Sequence, residues 1–232
     1  MIYLIQILAL IISIICHELA HGYSALYFGD DTAKNAGRLS FNPIKHIDPV
    51  GTILLPGIML LTGAGMFGWA KPVPINPNKL RNSKQNIFFV SIAGPLTNIV
   101  LVIIGIILLK WVSISLGKLY PQDVYHYFIT QIPSIKQNLI IGSDHRGLFF
   151  IFELAYQLVL VNSILAVFNL IPIPPLDGSR LLFPFLNAKQ EQVFYKLERY
   201  GIIILFGLLY FNFLDGLFVF FYQFIYKLIW MI

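Results

Sequence analysis

The stretch that decides the fold is IICHELAHGYSALYFG, residues 14–29, which ends an apolar run opening MIYLIQILALIIS. Across residues 1–28 the only acidic side chain is Glu18, which stands between His17 and His21, and there is no Lys or Arg. A carboxylate and two imidazoles at membrane depth are expensive unless something binds them.

The rest of the composition sets that depth. Hydrophobic residues make up 57% of the chain and charged residues 12%, with a mean hydropathy of +0.76; soluble domains carry about 25% charged residues. Runs at about 2–28, 87–110, 148–171 and 201–222 approach or exceed the roughly 20 residues a spanning helix needs. A fifth, 50–67, is shorter and broken by Gly51, Pro56, Gly57 and Gly63. The expectation is an all-α polytopic membrane protein of about four transmembrane helices, a single membrane-embedded domain over residues 1–232 without a soluble appendage. The first run reads as a retained span, because it lacks a basic n-region and a small-x-small cleavage site. The lone cysteine, Cys16, has no partner for an internal disulfide. The net charge of +5 comes from basic residues scattered singly, which suits loop charge for orientation; a nucleic-acid partner is not expected.

His17 and His21 are four apart, so on a helix they share one face, one turn above the other. Two imidazoles so placed can bind one Zn²⁺, and Glu18 beside the first can act as general base toward a water. Catalytic zinc wants a third protein ligand, and His46, His126, His145 and the aspartates are candidates. Two aspartates stand in the same tripeptide, LDG, at 176–178 and 214–216. Asp177 follows FNLIPIPPL, where three prolines break a helix as it leaves the membrane; irregular backbone there is tolerated only where it lines protein or a wet cavity.

Charge parity separates the candidates. Lys34, Arg38 and Lys45 precede the 50–67 run, and Lys71, Lys79, Arg81 and Lys84 follow it. Cytoplasmic loops carry such excess, so both flanks read as cytoplasmic and the run as re-entrant. Asp177 then emerges on the side of His17 and His21. Asp215, roughly 20 Å along its own helix at 1.5 Å per residue, does not reach them. His126 and His145 fall in an outer link, 111–147, across the bilayer. His46 is on the correct side and stays open as a ligand or proton carrier. Cys16 points about 100° away from His17 around the helix and reads as a packed thiol.

HELAH (17–21), AGPLTN (93–98) and NLIPIPPLDG (169–178), in this order and each in an apolar segment, together resemble the site-2 protease family of intramembrane zinc metalloproteases. The resemblance covers about residues 11–182 and is to the compact prokaryotic form without a PDZ domain. It implies one Zn²⁺ per chain on His17, His21 and Asp177, with Glu18 as catalytic acid/base. Asn98 and Asn169 match the family's polar residues near the active site; interhelical hydrogen bonds are the plain alternative for both. The implied activity is endopeptidase cleavage in or near transmembrane helices of substrate proteins, in a prokaryotic cell membrane, with the active site toward the cytoplasm. The implied partners are a transmembrane protein substrate and the lipid bilayer. A metal transporter would instead string ligands along a path through several spans, and an inactive scaffold would have lost Glu18.

Finally, Pro72 and Pro74 alternate with Lys71, Val73 and Ile75, so both missing N–H donors fall on one edge of an extended segment, and proline is confined to such edges. With AGRLSF (36–41) this predicts a small β-hairpin or edge-strand element near the active site, whose free edge could hold a substrate by strand addition. A proline-stiffened loop is the alternative.

Overall fold

The computed structural model describes residues 2–54, 58, 68–119 and 144–230. Its helices are α1 (Ile2–Tyr27), α2 (Thr32–Asn35), α3 (Ser83–Leu119), α4 (Arg146–Leu170), α5 (Asp177–Arg180), α6 (Ala188–Tyr210) and α7 (Asp215–Trp230), joined by turns. Three of them, α1, α3 and α4, are long and apolar enough to cross a membrane. In α1, every fourth residue from Ile5 through Ala9, Ser13, His17 and His21 to Ala25 is buried, while Tyr3, Leu4, Ile7, Leu8 and Ile11 are exposed. An apolar outer face suits lipid, and the inner face carries the polar groups.

The expected fourth span, 201–222, is divided. Helix α6 stops at Tyr210 and α7 starts at Asp215. Asn212 sits between them at φ 57°, with Phe213 N–H donating to the Leu208 carbonyl at 3.0 Å. This is a Schellman ending, in which Asn tolerates the left-handed conformation glycine usually supplies. A run whose one charge is Asp215 thus encodes two helices because Asn212 offers a cap. Most of the expected re-entrant run, and His126 with residues 120–143, lie outside the described residues. What is described of the run begins as a π-helical turn, Pro49–Leu54, whose first N–H groups, on Val50 and Gly51, donate to the Asp48 carboxylate.

Among the described residues there is no β-strand, so the expected hairpin is corrected. Residues 68–76 carry no helix, and residues before proline are pushed to extended conformations. The N–H groups of the 71/73 edge are taken individually, Lys71 by the His46 carbonyl at 2.9 Å and Val73 by Glu18. No ladder forms along it.

The chain forms two compact units: Met1–Ser13, Asn98–Leu165 and Gly216–Ile232 make the first, and Ile14–Thr97 with Ala166–Asp215 the second. The first has a core of Ile5, Val102, Leu109, Val112, Phe149, Phe152, Val159 and their neighbours. Through it runs a polar chain: the Asn162 amide donates to Ser13 Oγ at 2.8 Å, and the Asn98 amide donates to Asn162 Oδ1 at 3.0 Å. Asn98 and Asn162 are fully buried, so these bonds tie α1, α3 and α4 together where lipid offers no substitute. The second unit packs Ala25, Leu80, Ile87 and Val90 against Phe183 and Phe194.

Asn162→Ala should destabilise the protein in detergent by about 1 kcal/mol, and at most roughly 2, since interhelical bonds of this kind are individually modest. Ile164→Ala, at a site 54% exposed, should change the same unfolding titration by less than about 0.5 kcal/mol.

Candidate metal centre

The second unit brings together three helix ends: the C-terminal half of α1, the start of α3 and the segment after α4. Helix α1 supplies His17 and His21, whose Nε2 atoms lie 3.0 Å apart. Asp177, the first residue of α5, puts Oδ2 at 3.1 Å from His17 Nε2 and 3.0 Å from His21 Nε2. Among the described residues these three form the one His/Cys/Asp/Glu group whose ligand atoms converge this way.

Each part of the triangle has a local cause. After α4 the chain turns through Ile171–Leu176, and Gly178 lies against the end of that helix. A Cβ on Gly178 would fall 2.6 Å from the Ile171 carbonyl and collide with that of Leu170. The glycine after Asp177 therefore allows the close return that delivers the carboxylate. The Ser179 hydroxyl donates to the Leu176 carbonyl at 2.6 Å, and Arg180 donates to Glu198 of α6 at 2.7 Å, fixing α5 from both sides. His21 Nδ1 lies 2.7 Å from the Val90 carbonyl of α3. A carbonyl only accepts, so Nδ1 carries the proton and Nε2 keeps a lone pair for the shared focus, which is how metal-binding imidazoles are oriented. When protons rather than an ion sit at that focus, burial pushes the Asp177 carboxyl up, but hydrogen bonds from His17 and His21 outweigh this and hold it well below the usual carboxylate range. Two imidazole nitrogens and a carboxylate, with the tautomer of one ring fixed, are the donor set of a catalytic zinc site with a position left for water.

Glu18 is half-buried beside this group, and its Oε2 accepts from the Val73 N–H at 2.6 Å. The extended segment carrying Val73 is pinned along its length. Arg38 donates to the Lys71 carbonyl at 2.7 Å, and the fully buried Asp30 accepts from the Asn76 N–H at 2.6 Å and from Thr32. Arg81 N–H donates to the Phe28 carbonyl.

Of the other expected residues, His46 is buried with Nε2 2.8 Å from the Ser40 carbonyl and is not in the converging group. Asp215 is exposed at the start of α7 and also outside it. Asn98 lies in the polar chain of the first unit, Asn169 is half-buried at the end of α4, Cys16 is a half-buried free thiol, and His145 is exposed. Sequence reasoning missed Val90 and Val73, which act through backbone atoms that every residue shares, and Asn162, an amide at membrane depth that carried its own signal.

Residues 5–211 match the family described as Peptidase family M50. A Bacillus subtilis (strain 168) protein named "Putative zinc metalloprotease YwhC" is 40% identical over 202 residues, covering 85% of this chain and 76% of its own. The chain belongs to peptidase family M50, the site-2 proteases. Two relatives named "Putative zinc metalloprotease Rip2" match more distantly. That of Mycolicibacterium smegmatis is 26% identical, over 90% of this chain and 67% of its own. That of Mycobacterium tuberculosis is 22% identical, over 84% of this chain and 62% of its own. No solved structure gives a significant match. With its apolar helices, this M50 chain is a membrane protein.

Removing the carboxylate should empty the centre. Purified Asp177→Ala should lose at least 10-fold in zinc affinity, since loss of even an outer-shell partner of a ligand typically costs 10–100-fold, whereas Asp215→Ala should match wild type in metal analysis.

Proposed function

We propose that this M50 member is a zinc-dependent endopeptidase that cuts peptide bonds in or near the transmembrane helices of other proteins. The observation that carries the reading is the convergence of His17, His21 and Asp177 beside Glu18 at the end of an apolar helix. His17, His21 and Asp177 would hold the ion; when bound, zinc supplies Lewis-acid polarisation of a carbonyl and activation of a water.

The remaining chemistry belongs to the chain. Glu18 takes the water's proton on a carboxylate oxygen and later gives it to the leaving amine nitrogen. The Val73 N–H holds the Glu18 carboxylate in one orientation, so the proton is received and returned at a fixed place. An amide inside an intact substrate helix is shielded by its own hydrogen bonds, so the substrate helix must unwind locally before it is cut. Asn169, at the end of α4 before the segment that carries Asp177, acts as a supporting polar group, while Asn98 serves the polar chain with Asn162. Lys34, Lys45, Lys71, Lys79 and Lys84 around the centre support a cytoplasmic position for it, in the cell membrane of a prokaryote.

Glu18→Gln should retain zinc and fold while losing at least about 10²-fold in cleavage of a helical reporter substrate. Activity within a few-fold of wild type would assign the proton transfer elsewhere. The orientation is tested separately, in a Cys16→Ser background. Lys45→Cys and Lys79→Cys should both resist a membrane-impermeant thiol reagent in intact cells and react after permeabilisation, while Asp144→Cys should react from outside. Opposite labelling of positions 45 and 79 would mean that the 50–67 run crosses the bilayer.

A further inference from the structure

Helix α3 meets the centre at two points on one face. The Val90 carbonyl binds His21 Nδ1 at 2.7 Å, and Gly94 follows one helical turn later. A Cβ built on Gly94 would lie 2.6 Å from His17 Cε1 and 2.7 Å from His17 Nε2, and closer still to His21 Nε2; real Cβ contacts essentially never fall below 3.0 Å. Helix α3 cannot back away to make room, because retreat breaks the Val90–His21 bond. The rings have little freedom either. His17 and His21 are buried to 7% and 5% exposure and meet edge-on with centroids 4.6 Å apart.

We propose that Gly94 is a positioning residue of the metal centre: the missing side chain lets α3 hold His21 through its backbone while leaving both ligand nitrogens at their shared focus. Zinc–nitrogen bonds are about 2.0–2.1 Å, so a methyl group this close competes with the ion for ligand lone pairs and volume. Glycine weakens a helix interior relative to alanine, and here it is followed by a fully buried Pro95, so neither residue serves the helix itself. Gly117, in the same helix, has nothing within 4 Å of its would-be Cβ and provides the control.

This inference rests on the reading of His17, His21 and Asp177 as zinc ligands. Wild type, Gly94→Ala and Gly117→Ala, purified in detergent, are compared for zinc affinity by chelator competition and for the visible spectrum of the Co²⁺-substituted protein. Gly94→Ala should bind zinc 10–100-fold more weakly, the range typical of lost ligand orientation, with an altered cobalt spectrum and unchanged helix content; Gly117→Ala should match wild type. Gly94→Ala with wild-type affinity and spectrum overturns the assignment. If Gly94→Ala does not fold, the comparison moves to a His17→Ala/His21→Ala background, where both conflicting rings are gone. Folding of His17→Ala/His21→Ala/Gly94→Ala comparable to His17→Ala/His21→Ala supports the proposal, and a triple variant that still fails to fold where His17→Ala/His21→Ala folds overturns it. Absence of zinc from the wild type would instead overturn the metal centre, a separate failure from wild type and Gly94→Ala holding zinc equally.

Discussion

Two imidazole nitrogens and a carboxylate oxygen held 3.0–3.1 Å apart direct lone pairs at one another in surroundings with little water to screen them. Such an arrangement is stable only when positive charge sits among them, as a proton or a metal ion. The surrounding structure serves this constraint. Residues 160 positions apart in the chain must meet, so the ends of three helices are drawn to one place. One ring is clamped by a carbonyl of a neighbouring helix, and the carboxylate is delivered by a return tight enough to need glycine. A metal that binds only the assembled site adds its binding free energy to the stability of this unit.

The extended segment before α3 meets a second requirement. Under the proposed mechanism Glu18 receives and returns a proton, which benefits from one fixed orientation, and the Val73 N–H supplies it. The segment in turn depends on Asp30, Arg38 and the His46 carbonyl. His46, open to a metal role when read from sequence alone, is absorbed into this scaffold: its ring is held by Ser40 and its carbonyl by Lys71.

The parts legible in the sequence were those written in side chains with a fixed period or a strong cost. The histidine pair could be read because helical geometry alone sets its spacing, and the long spans because lipid demands apolar length. Charge parity points Asp177 toward the histidines, and the structure brings the three together; most of the 50–67 run on which that parity turns lies outside the described residues. The break after Tyr210 is hard to read because its signs, Asn212 and Asp215, are two short polar residues in an otherwise apolar run without proline. The hairpin was expected because alternating prolines do mark an edge, but pattern does not say what takes the donors of the other edge. Here a side chain and single carbonyls take them, and no second strand is needed.

Because Glu18 is held through a main-chain N–H, no change of side chain at position 73 removes the bond except proline, which has no N–H to give. An alanine scan would therefore score Val73 as a packing position and miss its link to Glu18 altogether. Drift at this position is constrained by volume, while the orientation of the carboxylate is shielded from nearly every point mutation that could reach it there.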